Sequence, residues 1–223
     1  MTFHERKGED LILAFPTPVL AQVVHGVEGF NRELREIVEE RARADAGSGG
    51  SNVGGWHSEP DFFTWPHPHA QQLLSWVRDA IARITRYTGG GDAGEIQLQA
   101  AAWANVLGPG GYNTPHTHPA CMWSGVYYVE TGTRPEGATS SGLIEFQDPR
   151  NAVEMIGVPG APFAGKLTFD PEPGLMLVFP SWLSHYVHPY RGEGLRVSIA
   201  FNVQLVRERG DAPQDRNPSV QRA

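Results

Sequence analysis

Cysteine is nearly absent. Cys121 is the single thiol in 223 residues, so no internal disulfide can brace the fold, and a reducing compartment such as the cytoplasm is expected. Basic charge is scarce as well. Eighteen Lys and Arg against 25 Asp and Glu give a formal charge of −7, and the cations are scattered, which leaves no field to attract a phosphate backbone. Nucleic acid is therefore not expected as a partner. No stretch approaches the roughly eighteen apolar residues of a membrane span. The opening MTFHERKGEDLILAFPTPVL sets charges before a short apolar run and lacks the core of a secretory signal. Neither G-x-S-x-G nor a P-loop occurs, and Cys121 has no adjacent base, which argues against a serine or cysteine nucleophile and against a nucleotide site of that type.

What is present suits one strand-rich domain. The chain is 40% apolar and 10% aromatic, enough for one complete core and too short for two, and its 26 Gly and 18 Pro point to many tight turns. A first strand is expected at Leu11–Phe15. In VEGFNRELREIVEERARA, Val27, Phe30, Leu34 and Val38 recur at helical spacing with charges opposite, an amphipathic helix. The following DAGSGGSNVGG reads as a flexible loop, because Gly and Ser support no regular structure. Trp56, Phe62, Phe63 and Trp65 come next, as core or as the rim of a pocket. A second helix, about Gln71 to Tyr87, carries Leu73, Leu74, Val77, Ile81 and Ile84 on one side, the side to pack on a sheet. From Glu95 the period drops to two: EIQLQAAAWANVL, MWSGVYYV, GLIEF, GKLTF, GLMLVF and LRVSIAFNVQLV are short strands between Gly and Pro turns, a sandwich or barrel. The expected division is one domain over residues 1–206, in which a helical and aromatic segment (residues 1–92) precedes a β core (residues 93–206), then a polar disordered tail over residues 207–223.

Histidines carry the chemistry. His116 and His118 in NTPHTHPA are two apart, so on extended backbone both imidazoles face one side and can clip one metal ion. A second H-x-H, His67 and His69 in WPHPHA, interleaves with prolines ahead of a helix and lacks a strand-borne partner. The third ligand is read as His185 in FPSWLSHYVHPY, with His188 its competitor. His185 is preferred because Arg196 and Ser198 follow on a strand that is otherwise apolar. Arg196, Ser198 and Ala200 share one face there, and an inward arginine is costly to bury unless an anion pairs with it. A guanidinium fork beside a hydroxyl suits a carboxylate. The other reading puts Arg196 outside, paired with Glu193 or Glu130.

The segments NTPHTHP, SGVYY, FQDPR, FPSWLSH and RVSIAFN, in this order between about Trp103 and Val206, resemble the Fe(II)- and 2-oxoglutarate-dependent oxygenases, most closely a bacterial and phage branch of them. The resemblance implies a mainly β fold with flanking helices: a double-stranded β-helix, the jelly roll of cupin-like barrels, with the helices on one outer face. It implies Fe(II) on His116, His118 and His185, and 2-oxoglutarate as cosubstrate with its distal carboxylate on Arg196 and Ser198. It matches Tyr127 to a tyrosine that bonds the same carboxylate in some relatives, and it points to Asn105 as support for the carboxylate near the metal. The implied activity is oxidation, typically hydroxylation, of a small molecule or peptide with release of succinate and CO2, and it leaves room for a homodimer.

One departure stands out. The family position of His118 is usually Asp or Glu, and two histidines with one carboxylate are the usual donor set for such iron. Asp148 and Glu145 are the acids near enough in sequence to replace it. If His118 is the ligand, protons should compete with iron at about pH 6 to 7. Two other functions stay open: a cupin-type three-histidine metalloenzyme that uses no 2-oxoglutarate, and a non-catalytic metal-binding module.

Overall fold

A computed structural model of the chain describes residues 15–89, 96–155 and 165–207. Most of the strand expected at Leu11–Phe15, the boundary near residue 92 and nearly all of the tail lie outside these residues. The first described strand is β1 (Leu20–Val23), followed by helix α1 (Glu28–Ala44), strand β2 (Asn52–His57) and helix α2 (Pro68–Tyr87). Seven further strands follow among the described residues: β3 (Ile96–His116), β4 (Trp123–Glu130), β5 (Ile144–Gln147), β6 (Lys166–Phe169), β7 (Leu175–Pro180), β8 (His185–Val187) and β9 (Arg196–Arg207).

Both helices form where the 3.6-residue period demands. α1 buries Asn31, Leu34 and Val38; α2 starts on Pro68, whose missing N–H costs nothing in a first turn, and buries Leu73, Val77, Ile81 and Ile84. Those stripes meet the outward residues of β4 and β9, Tyr127, Val129, Val197, Ile199, Phe201 and Val203, in one apolar cluster that also takes in Phe62, Phe63 and Trp65. Each fully buried aliphatic side chain there contributes about 1.5–3 kcal/mol.

The strands run antiparallel in the order β1-β7-β4-β9-β3, then β3-β8-β5-β6, with β2 paired to β3. β3 belongs to both groups: Ile96 to Leu107 pairs with β9, while Asn113 and His116 pair with β8. The stretch Gly108-Pro109-Gly110-Gly111 is the bend at which one 21-residue strand passes from the large sheet into the small one. Gly110 makes that bend with φ of +87°, a conformation open mainly to glycine. The two sheets fold face to face as a squashed barrel over a second apolar cluster of Leu107, Val126, Tyr128, Ile144, Phe146, Leu177 and Phe179, the double-stranded β-helix expected above.

Two expectations change. β8 is a three-residue strand too short for a two-residue period to register. The Gly-rich segment is not all loop: Asn52–His57 pairs with β3, with the register shifting between Val53 and Gly55. Glycine is needed there because a Cβ on Gly55 would lie 2.5 Å from Leu107 Cδ2 and 2.6 Å from the Val106 carbonyl. Pairing with the free edge of β3 overrides the low strand propensity.

Candidate metal centre

His116 ends β3, His185 begins β8, and the antiparallel register sets them directly opposite one another. Their ring centroids are 4.3 Å apart. His118 lies two residues beyond the strand end, held by its backbone N–H to the Ser181 carbonyl at 2.9 Å. Its ring centroid lies 4.9 Å from that of His116 and 5.2 Å from that of His185. One nitrogen from each of the three rings falls within 4.8 Å of the others, a gap that small side-chain rotations close to the spacing of adjacent ligands.

Two of these rings are already oriented by backbone. The His116 Nδ1–H donates to the Thr114 carbonyl at 2.7 Å and the His185 Nδ1–H to the Leu183 carbonyl at 2.9 Å, so each Nε2 is left with its lone pair for an ion. Burial favours the neutral, ligating form of all three. It pushes His118 down to about 4, with the neighbouring His116 adding to it, and His185 down to about 3; His116 is lowered too, against the opposing pull of Thr114. Proton competition therefore sets in at lower pH than an unperturbed imidazole suggests.

The three histidines open into a cavity of about 570 Å³ whose wall includes Trp103, Asn105, Tyr128, Arg196, Ser198 and Ala200. On β9 the residues Arg196, Ser198 and Ala200 share one face, as alternation predicts, and that face is the inward one. Across the register Ser198 faces Asn105 on one side and Tyr128 on the other, while Arg196 faces Leu107. The Arg196 guanidinium is 2% exposed, lies over the Tyr128 ring at 4.9 Å, and leaves Nε and Nη2 without a hydrogen bond of good geometry. Among the described residues no carboxylate lies within ion-pair distance of it, and Glu130 is engaged by Arg35 instead. A buried cation without a counter-charge costs several kcal/mol. The Asn105 Oδ1 is likewise buried without a partner. The two guanidinium N–H groups are donors that an anionic ligand would satisfy, whereas the Asn105 oxygen is an acceptor that calls for a donor.

Several candidates lie outside this cavity, Tyr127 and Glu145 among them by strand parity. Tyr127 points the other way: its hydroxyl donates to Asn31 Oδ1 at 2.8 Å beneath α1, and burial raises its pKa. The tyrosine on the inward face is Tyr128, which the family resemblance does not single out. Glu145 lies on the outer face of β5, where its Oε2 takes His188 Nε2 at 3.0 Å and Lys166 Nζ at 3.2 Å; its carboxylate stays ionised because those bonds outweigh its burial. Asp148 is spent on Arg150. Neither acid joins the cluster, and neither does His188. His69 faces Glu33 at 3.2 Å and His67 precedes α2, so the second H-x-H lies apart from the cluster. Sequence reasoning also missed the opposite rim, where Ser48–Ser51 and His57 border the cavity and Ser51 Oγ sits 3.4 Å from His116 Nε2. No spacing rule marks a Ser in a Gly-rich loop for such a place.

A sequence model of the family described as "Putative 2OG-Fe(II) oxygenase" matches residues 101–202. No curated protein matches the chain in sequence. Among solved structures, a prolyl-4-hydroxylase from Pseudomonas putida superimposes with TM-score 0.59 at 16% identity, over 83% of this chain and 91% of that one. A prolyl hydroxylase from Trichoplax adhaerens, in complex with a hypoxia inducible factor oxygen degradation domain peptide fragment, gives TM-score 0.61 at 14% identity, over 83% of each chain. HygX from Streptomyces hygroscopicus, with nickel and 2-oxoglutarate bound, gives 0.54 at 13%, over 84% of this chain and 83% of that one. At these identities the likeness is one of fold.

Proposed function

We propose that the chain is an oxygenase of the 2OG-Fe(II) kind whose family model matches residues 101–202, that His116, His118 and His185 hold its Fe(II), and that Arg196 and Ser198 hold the distal carboxylate of 2-oxoglutarate. The donor set fits a ferrous ion: three neutral imidazoles leave other coordination positions for cosubstrate and O2. With both bound, iron and 2-oxoglutarate supply the oxidising power, and succinate and CO2 leave as co-products.

The protein's own contribution is geometric and electrostatic. The Thr114 and Leu183 carbonyls fix two imidazoles in the ligating tautomer. The Arg196 fork and the Ser198 hydroxyl offer directed donors to a carboxylate, and the Tyr128 ring under the guanidinium holds the fork in place. Asn105 borders the same cavity, where its amide NH2, rather than its oxygen, would be the donor to the carboxylate near the metal. The wall of Phe179, Val126 and Ile144 keeps water from the reacting region.

We take the substrate to be a small molecule or a peptide, admitted past the rim that Ser48–Ser51 and His57 form. We read residues 1–206 as one working unit, because the helices complete the core on which β4 and β9 rest. No helix among the described residues is long and apolar enough to cross a membrane. The cytoplasm and an absence of nucleic-acid partners remain our reading from composition, and a homodimer is compatible with it.

The observation that carries this function is the unpaired, buried Arg196 in the same cavity as the histidine cluster. A three-histidine enzyme without 2-oxoglutarate, or a passive metal binder, would leave that cation unexplained. Anaerobic calorimetry of 2-oxoglutarate into the Fe(II)-loaded protein tests it directly. Metal-dependent binding is expected, with succinate formed on admission of O2. Tight iron without any affinity for 2-oxoglutarate would overturn the reading in favour of the alternatives.

A further inference from the structure

The inward face of β9 continues one position past the cavity. Arg196, Ser198 and Ala200 line the space, and Asn202, next in the same period, stands at the metal end, opposite Ser124 in the β4 register. Ser124 is 1% exposed, and its hydroxyl lies 2.7 Å from Asn202 Oδ1. The other atom of the amide, Nδ2, lies 3.4 Å from Nδ1 of His118. His118 is thus the member of the cluster whose Nδ1 meets a side-chain amide, whereas the Nδ1 atoms of His116 and His185 meet backbone carbonyls.

That difference has a chemical consequence. A neutral imidazole carries one proton, and a ring that binds an ion through Nε2 must keep that proton on Nδ1. A carbonyl outside Nδ1 accepts it. An amide NH2 outside Nδ1 instead calls for a lone pair there, which would put the proton on Nε2 and spoil the ligand. The two orientations of an amide have the same shape, and a hydroxyl can donate or accept, so Ser124 serves either one.

Resting on the iron site proposed above, we infer that Asn202, steadied by Ser124, is a positioning residue for His118. Its carbonyl oxygen takes the His118 Nδ1–H and its NH2 donates to Ser124 Oγ, so that Nε2 faces the ion. An acid at position 118 would need no such partner, because a carboxylate has no tautomer to choose. The histidine there creates the requirement, and Asn202 meets it by the outer-shell role that a carbonyl plays for the other two.

Anaerobic titration with Co(II), read from its visible ligand-field bands, measures this without turnover. Asn202→Ala is expected to weaken Co(II) about 10- to 100-fold, the usual cost of losing an outer-shell partner, and Ser124→Ala to weaken it less. Asn202→Asp is nearly isosteric and can only accept, so it keeps the fold and should bind at least as tightly as the parent. In a His118→Asp background, Asn202→Ala should change affinity less than about threefold. Wild-type affinity in Asn202→Ala, a tenfold loss in Asn202→Asp, or an equal loss from Asn202→Ala in both backgrounds would each overturn the positioning role while leaving the iron site itself standing. A parent protein that binds no Co(II) or Fe(II) would instead bring down the iron site, and this inference with it.

Discussion

The two faces of β9 are built from the same twelve residues and do opposite work. Outward, Val197, Ile199, Phe201 and Val203 are each at most 1% exposed and pack against the helix layer. Inward, Arg196, Ser198 and Ala200 line a polar cavity in which a guanidinium waits without a counter-charge. One face holds the fold together and the other is held in place at the fold's expense. The lesson is that stability and binding can be perturbed separately by moving one residue along the strand.

The sharpest break removes a ligand. His185→Ala should reduce iron affinity by about 100-fold or more, since a coordination bond is lost and water competes for the rest, while His69→Ala, whose ring faces Glu33, should leave iron content unchanged. Metal analysis after identical anaerobic loading compares them, and equal iron in both variants would dissolve the assigned site.

Next in size are two neighbours in parity. Phe201 covers Gly125, where a Cβ would meet the ring at 2.3 Å, so Phe201→Ala should open a cavity and cost about 3–5 kcal/mol in denaturant unfolding. Arg196→Met should leave the apoprotein as stable or more so, because a buried unpaired charge is replaced by an apolar chain, yet weaken 2-oxoglutarate by about 2–5 kcal/mol in calorimetry. If Arg196→Met destabilised the apoprotein as much as Phe201→Ala, the division between the faces would fail.

A third effect depends on pH. The imidazoles of His118 and His185 titrate in the folded apoprotein at about 4 and about 3, below the unfolded value near 6.5. The unfolded chain therefore takes up protons first as the solution is acidified. Stability is complete above about pH 6.5 and falls as pH drops from there toward 4, with the decline between about 6.5 and 5 owed to histidine alone, above the carboxylate range. Urea unfolding across that interval should show the decline, and His185→Leu should flatten it; a flat parent curve would contradict the burial of the cluster.

The smallest contrast is between adjacent tyrosines. The Tyr128 hydroxyl is buried without a partner on the cavity side, so Tyr128→Phe should weaken 2-oxoglutarate by about 1 kcal/mol with stability nearly unchanged, whereas Tyr127→Phe should cost about 1 kcal/mol of stability through Asn31 and spare the ligand. Reversed results would return Tyr127 to the cavity.

This tyrosine pair also marks how far the sequence was legible. Helical and two-residue periods announced α1, α2 and the longer strands, and alternation put Arg196, Ser198 and Ala200 on one face while leaving open whether that face turned inward. Which tyrosine of SGVYYV faces inward depends on the phase of β4 relative to His118. The irregular stretch from Thr117 to Met122 intervenes, and Ala120 adopts φ of +65° within it, so residues cannot be counted across it. β2 was hidden for a different reason: its strand exists because β3 offers an edge, and Gly55 is chosen by the crowding of Leu107 rather than by any local preference. Ser51 and Asn202 reach the histidines through such long-range pairings, which no window of sequence contains.

The bend at Gly108–Gly111 turns β3 into a spacer of fixed phase. Asn105 in the large sheet and His116 in the small one are carried by a single run of backbone, with eleven residue steps between them. Lengthening that run by one residue would turn His116 toward the outside of the barrel, and lengthening it by two would return it to the inside, displaced by about 7 Å along the strand. Changes of length are thus far less tolerable here than in the surface loops, and the glycines form a hinge whose composition can drift only so long as its count does not.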